Sequence, residues 1–172
     1  VSAAIEGGMN LLELFMPQPD IRDRISRAIA GRRNDLLLMG HIGSCLSPDG
    51  QYLRSRDVRL CERFVDDFLL RYRTDWIDFG MFHYVDTPED YAGVFDTRVA
   101  DLADRLREQG KVRFLGASSH NAETALRMVE TGLIDVLLFS VNPAQDILPN
   151  IDNDDYFVEN TYKNLHADAL NP

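Results

Sequence analysis

The sequence has only two cysteines and no apolar run near the roughly 18 residues of a membrane-spanning helix. Two cysteines that form neither a disulfide framework nor a C-x-x-C pair favour a reducing setting. The amino-terminal segment also lacks the basic start and long apolar core of a secretory signal. The sequence therefore predicts a cytoplasmic protein with no membrane partner.

Basic residues are scarce as well, since 18 Lys and Arg stand against 28 Asp and Glu and the formal net charge is −10. The basic residues are scattered through the chain, and a negatively charged surface repels phosphate backbones. These two features argue against a nucleic-acid partner. The length of 172 residues and the 45% hydrophobic content allow one sizeable core, so residues 1–172 are expected to form a single domain or part of one.

Short apolar segments alternate with longer amphipathic segments along the chain. The predicted strands span residues 10–15, 35–42, 77–83, 112–117 and 136–141. The predicted helices begin near residues 20, 58, 87 and 121, and the third is expected to run unbroken to Gly110. Residues 44–57 are predicted to be a turn-rich loop. Strands of this kind pair in parallel with helices on both sides, which indicates an α/β fold.

Two α/β architectures fit this pattern, an open doubly wound sheet and a closed (β/α)8 barrel. A dinucleotide-binding open sheet would carry G-x-G-x-x-G in its first strand-to-helix turn, and no turn in this sequence does. The missing motif favours the barrel.

Polar residues lie in or just after the predicted strands: Glu13 interrupts the first strand, His41 lies near the end of the second, and the others end or follow a strand. In both architectures ligands gather at the carboxyl ends of parallel strands, so these side chains are expected to share a pocket. They are Glu13, His41, His83, Ser118, Ser119, His120 and Asn142.

Several segments also resemble a known family. The segment "DWIDFGMFHYVD" is similar to the DYIDLYLIHxPD segment of the aldo-keto reductases, and "GKVRFLGASS" is similar to their GKIRxIGVSN segment. The likeness runs from about residue 5 to about residue 143. It implies a (β/α)8 barrel and an oxidoreductase that acts on a small carbonyl or alcohol with a nicotinamide cofactor, NADP(H) or NAD(H).

The resemblance also implies roles for individual residues. His83 falls on the family's active-site histidine, and Ser118 falls on the serine that contacts the nicotinamide carboxamide. Ser119 replaces the family's asparagine at the next position. Asn142, in "SVNP", would lie on the cofactor side of the rim, whereas Leu138 replaces a glutamine that contacts the carboxamide.

The family's acid–base residues are substituted in this sequence. Glu13 takes the position of its aspartate, Gln18 that of its proton-donating tyrosine and His41 that of its lysine. The expected site is therefore a Glu13, His41 and His83 set. His41 would donate the proton with Glu13 stabilising its protonated form, and His83 would orient the substrate oxygen. The alternative is a catalytically diverged barrel that serves as a ligand-binding or electron-transfer module.

The combination of "GHIGS", "GMFHYVD", "GASSHN" and "FSVNP" is similar to a branch of the family in anaerobic bacteria. Members of that branch commonly continue into a C-terminal region that binds iron–sulfur clusters, and this sequence contains no such cysteine motif. A complete barrel needs eight strands and about 250 residues. About five β/α units of a partial barrel are expected, with residues 143–172 as a polar loop or excursion after the sixth barrel strand.

Three further features are given simpler interpretations. The two strand-end histidines and the glutamate come from three separate strands with no closely spaced ligand pair, so no metal site is predicted. Cys45 is interpreted as an incidental loop cysteine. His120 and Asn121 are predicted to cap the helix that follows them.

Overall fold

The structure, a computed structural model, describes residues 1–140. Its helices are α1 (Ser2–Glu6), α2 (Pro19–Ala28), α3 (Val58–Tyr72), α4 (Pro88–Phe95), α5 (Arg98–Glu108) and α6 (Ala122–Glu130). Its strands are β1 (Leu11–Leu14), β2 (Leu37–Ile42), β3 (Ser44–Leu46), β4 (Tyr52–Arg54), β5 (Ile77–Phe82), β6 (Val112–Ser119) and β7 (Val136–Phe139). Asn142 and the predicted loop over residues 143–172 lie outside the described residues.

Five strands form a parallel sheet in the order β1-β2-β5-β6-β7, which is their order along the chain. An open doubly wound sheet would reverse this order at a switch point, and no reversal occurs among the described strands. The sheet is curled as in part of a (β/α)8 barrel. The prediction of a partial barrel with five β/α strands is therefore confirmed.

Helices α3 and α4 begin where the sequence supplies capping groups. The Asp57 side chain accepts a hydrogen bond from Leu60 N at 2.7 Å and caps α3. Thr87 and Asp90 form a reciprocal capping box at α4, with Pro88 at its first turn. These caps place the start of α3 just after the β3–β4 hairpin and the start of α4 just after the carboxyl end of β5.

Two local predictions were wrong. The helix expected from residue 87 to Gly110 is divided into α4 and α5, because Thr97 caps a new helix by accepting from Val99 N and also donates to Gly93 O. The loop predicted over residues 44–57 contains an antiparallel hairpin formed by β3 and β4. This hairpin stands at the carboxyl end of β2.

The two faces of the sheet differ in burial, although Met39 and Met81 on the barrel-interior side are also buried. The face toward the helices carries side chains such as Leu38, Ile42 and Leu115, which are almost completely buried. The opposite face would line the interior of a closed barrel. It exposes between 37% and 49% of the side chains of Leu11, Leu37, Phe114 and Leu138.

This exposed apolar face and the two sheet edges, at β1 and β7, have no covering strand among residues 1–140. Uncovered edges and apolar faces promote association between chains. The described residues also contain no helix that is both long enough and apolar enough to cross a membrane.

A substitution at Gly80 tests how closely neighbouring strands pack. A Cβ atom at this position would lie 2.7 Å from Val112 Cγ1, so Gly80→Ala should lower the free energy of unfolding by about 1 to 3 kcal/mol. Urea unfolding of the full-length protein measures this loss. In a double-mutant cycle with Val112→Ala, the smaller partner should recover about 1 kcal/mol of it. Simply additive losses would show that the two side chains do not clash.

Candidate functional site

Four of the predicted site residues lie on one face of the sheet. Strand register places Glu13 beside Met39, and His41 two residues farther along β2, on the same face. His83 follows the end of β5, and Ser118 lies near the end of β6 on this same face. The structure therefore brings these four side chains to the carboxyl end of the sheet.

The two histidines form a direct buried pair. His41 Nδ1 lies 2.8 Å from His83 Nδ1, and both residues are more than 90% buried. The Phe15 ring stacks on His83 with a centroid separation of 6.2 Å and an interplanar angle of 9°. The pair is thus shielded on one side by an aromatic ring.

A further group in this cluster, Tyr52, was not found from the sequence. The hairpin of β3 and β4 carries Tyr52 over the sheet, and its phenol oxygen is hydrogen-bonded to His83 Nε2. The hairpin is fixed by the Ser44 hydroxyl, which donates to Phe15 O, and by Ser55 N, which donates to Gly43 O at 2.9 Å. His83 is consequently bonded through both ring nitrogens.

Glu13 stands at the other end of the histidine pair. Its Oε1 atom lies 3.5 Å from His41 Nε2, slightly longer than an ordinary hydrogen bond, and 47% of the side chain is exposed. The neighbouring His41 side chain lowers the pKa of Glu13, although partial burial opposes the effect. Glu13 is therefore a carboxylate at neutral pH and faces solvent.

Burial is the main reason that the pKa of His83 is lowered to about 3, and the positive charges of His41, Arg56 and Arg54 add to the effect. His83 is therefore neutral at physiological pH, with one ring nitrogen as donor and the other as acceptor. One of the two hydrogen bonds of His83 is therefore donated by the ring, and the other is accepted by it.

The backbone beyond His83 is held by surrounding side chains. Arg56 Nη2 donates to His83 O at 2.8 Å and to Tyr84 O at 3.0 Å. Tyr84 has a φ angle of 54°, an uncommon conformation for a non-glycine residue, and its N–H donates to Ser118 Oγ at 2.9 Å. These bonds fix the end of β5 and the orientation of His83.

Ser118 and Ser119 are placed differently. The Ser118 hydroxyl lies on the site face, whereas Ser119 is buried on the opposite side of the strand. The Ser119 hydroxyl contacts Asp86 Oδ1 at 3.1 Å and both backbone polar groups of Asn121. The structure therefore does not bring Ser119 together with the histidine pair.

Of the two residues predicted to cap α6, Asn121 is confirmed and His120 was wrong. Asn121 supplies the cap by accepting from Thr124 N at 3.0 Å. His120 Nδ1 instead lies 3.0 Å from Asp86 Oδ2, and this pairing raises the pKa of His120. Burial alone would raise the pKa of Asp86, but its bonds from His120 keep that pKa low. This ion pair ties the loop after β5 to the loop after β6.

Other groups do not extend the site. Within residues 1–140 no three His, Cys, Asp or Glu side chains are arranged to hold a metal ion. Cys45 and Cys61 are free thiols that are fully buried in the core.

A cavity of about 510 Å³ lies near the amino ends of the strands, away from the histidine pair. It is lined in part by Arg27, Arg71 and Arg73 where α2 and α3 end. Arginines at these positions are accounted for by the negative carboxyl ends of the helices. We therefore take the histidine pair as the candidate functional site.

No family model matches the sequence, and no curated protein matches it significantly. Solved structures do match. A putative aldo-keto reductase from Pseudomonas aeruginosa is 22% identical over 81% of this chain, with a TM-score of 0.69. The glycerol dehydrogenase of Gluconobacter oxydans is 23% identical over 86% of this chain, with a TM-score of 0.65.

An aldo/keto reductase from Klebsiella pneumoniae, solved in complex with NADP and acetate, is 17% identical over 73% of this chain, with a TM-score of 0.53. This chain covers 54%, 47% and 40% of those three proteins, which is about half of their length. Identities at this level show the fold alone. The described residues therefore have the fold of part of an aldo-keto reductase barrel.

Proposed function

We propose that the full-length protein is an oxidoreductase that interconverts a small carbonyl compound and its alcohol with a nicotinamide cofactor. The observation that carries this proposal is the buried His41–His83 pair at the carboxyl end of an aldo-keto-reductase-type sheet, with Glu13 3.5 Å from His41. Titratable groups that converge at this end of a barrel are suited to acid–base chemistry.

The chain also offers a contact for the cofactor. Ser118 Oγ accepts from Tyr84 N, and its own proton is directed at Phe82 O over a long 3.4 Å contact, so the hydroxyl retains bonding capacity. It fits the proposed contact with a carboxamide. Ser119 does not fit this role, because its hydroxyl is buried and bonded elsewhere. A nicotinamide would supply the hydride, while the chain's residues supply orientation and the proton.

A diverged ligand-binding or electron-transfer module is the alternative function, since Gln18 and His41 replace the family's tyrosine and lysine. The hydrogen bonding of the site argues against this alternative, because His83 is held in one orientation through both ring nitrogens. The proposed NADP(H) or NAD(H) use is supported by the NADP complex of the Klebsiella pneumoniae protein. An iron–sulfur region remains an expectation from the resemblance only.

Cofactor titration tests the proposed function. NADPH or NADH added to the full-length protein should show saturable binding by nicotinamide fluorescence, and the protein should oxidise one of them with a small aldehyde or ketone.

His41→Ala should then lower turnover by about a hundredfold, the usual size of an acid–base contribution. Exposed Arg24→Ala, on the outer side of α2, is the matched control. Absence of binding to either nucleotide at millimolar concentration would rule out the reductase.

A further inference from the structure

The cavity between the carboxyl ends of α2 and α3 has a positively charged lining. Its volume is about 510 Å³, and it lies at the end of the sheet away from the histidine pair. Its charged lining residues are Asp23, Arg27, Arg33, Arg71 and Arg73. Four positive charges against one negative charge leave a formal charge of +3, whereas the whole chain carries −10. The cavity therefore reverses the charge of the chain locally.

Two of the four arginines already have carboxylate partners. Arg33 Nη2 lies 2.8 Å from Asp78 Oδ2, in the buried network below the sheet. Arg71 Nη1 donates to both carboxylate oxygens of Asp23 at 2.9 Å. The one carboxylate that lines the cavity is thus already paired, which weakens its repulsion of an anion.

The other two arginines, Arg27 and Arg73, have no carboxylate partner among the residues that the structure describes. They stand at the ends of α2 and α3, and each helix end carries a partial negative charge of about half an elementary charge. A guanidinium carries a full positive charge and five N–H donors. The helix ends therefore explain the positions of these arginines but leave positive charge and donors unused.

Tyr72 adds a hydroxyl without a partner. Its side chain is only 5% exposed, its ring packs against Phe68 at a centroid separation of 4.5 Å, and it lines the cavity. Its hydroxyl has no hydrogen-bond partner within residues 1–140. Burial raises the pKa of Tyr72 to about 12, so the hydroxyl keeps its proton at neutral pH and can donate. The cavity is where this donor can find an acceptor.

We propose that this cavity binds the phosphate group of a small molecule, with the guanidinium groups of Arg27 and Arg73 and the Tyr72 hydroxyl as donors. A phosphate offers several acceptor oxygens, and guanidinium groups bind it bidentately. One guanidinium already satisfies both oxygens of a carboxylate. Two unpaired guanidinium groups and a hydroxyl in one cavity therefore favour phosphate. The apolar side chains of Ile29 and Ala30 in the lining suit the organic part of a phosphate ester.

Amide NMR of the ¹⁵N-labelled full-length protein tests where phosphate binds. Inorganic phosphate, replacing chloride at constant pH and ionic strength, should shift the amide resonance of Gly31, which lines the cavity, and the shift should saturate. Gly110 is the matched control, because it also follows a helix with a positive φ, 73° against 78°, and lies outside the cavity. Equal, unsaturated shifts at both glycines would show unspecific screening and overturn the proposal.

Calorimetric titration of three variants tests the donors. Arg27→Gln and Arg73→Gln should each raise the Kd for inorganic phosphate by about tenfold, since each loses a charge-assisted hydrogen bond. Arg24→Gln should stay within twofold of wild type, because Arg24 is exposed on the same helix and does not line the cavity. Tyr72→Phe keeps the ring in the core and should raise the Kd about fivefold with an unchanged urea midpoint. Wild-type affinity in all three lining variants would overturn the proposal.

Three ligands at equal ionic strength define the chemistry of the anion. Acetate should bind at least tenfold more weakly than inorganic phosphate, and equal or tighter binding of acetate would overturn the choice of phosphate. Phenyl phosphate supplies the same group as an ester. Its tighter binding would identify a phosphate ester as the ligand, whereas equal affinities would identify free phosphate, and both results support a phosphate site. None of these measurements depends on turnover, so they stand or fall separately from the proposed oxidoreductase function.

Discussion

Asp78→Ala should lower the free energy of unfolding by about 3 to 5 kcal/mol, because it breaks a buried ionic network. The Asp78 carboxylate is almost fully buried and accepts from Leu38 N at 2.9 Å and from Arg33 Nη2 at 2.8 Å. It also accepts from Trp76 Nε1 at 3.2 Å and Arg113 Nη1 at 2.9 Å. Alanine would leave the Leu38 N–H unsatisfied inside the sheet and the Arg33 guanidinium without its countercharge.

Urea unfolding of the full-length protein measures this loss, and two variants define its cause. Asp78→Asn keeps an oxygen that can accept from Leu38 N, so it should lose less stability than Asp78→Ala. Asp104→Ala removes an exposed carboxylate paired with Arg107 at 2.7 Å and should cost less than about 1 kcal/mol. Equal losses in Asp78→Ala and Asp104→Ala would show that the buried network contributes no more than a surface ion pair.

The strands could be predicted from the sequence because a parallel strand covered by helices has a continuous apolar run. The split between α4 and α5 could not, since Phe95, Val99 and Leu102 keep one helical period across the break. Thr97 was the available signal, because a threonine can cap a new helix in the middle of such a period.

Glu13, His41 and His83 could be assigned to one cluster because the ends of neighbouring parallel strands meet in space. Tyr52 could not be assigned to it, since three-residue strands are too short to show an alternating pattern. The "SPDG" turn before Tyr52 indicates a reversal of the chain, but not that the returning strand lies over His83. The sequence spacing therefore predicts site residues that lie on the sheet strands. It does not predict a residue such as Tyr52, which a connecting hairpin places next to the strand ends.

The full-length protein should lose stability as the pH falls from 6.5, and His83 should account for about 3 kcal/mol of the loss by pH 4. Its pKa is about 3 in the folded chain, because of burial first and then the charges of His41, Arg56 and Arg54. An unfolded histidine has a pKa near 6.5, so between these values the unfolded state binds a proton that the folded state does not. Each pH unit in this window then favours unfolding by about 1.4 kcal/mol.

His83→Gln isolates this contribution, since glutamine has a similar length and does not titrate. The free energy of unfolding, measured with urea at intervals from pH 6.5 to pH 4, should fall less steeply in His83→Gln than in wild type. The difference between the two slopes should correspond to the uptake of about one proton on unfolding. The carboxylates of Glu13 and Asp86, whose pKa values are lowered, are lost in both proteins as the pH falls and cancel in the comparison. The raised pKa of His120 changes the stability mainly above pH 6.5. The stabilisation that protonated His120 provides is fully present below pH 6.5 and is lost as the pH rises. Parallel curves for the two proteins would mean that His83 becomes protonated without unfolding, through an opening of the site to solvent.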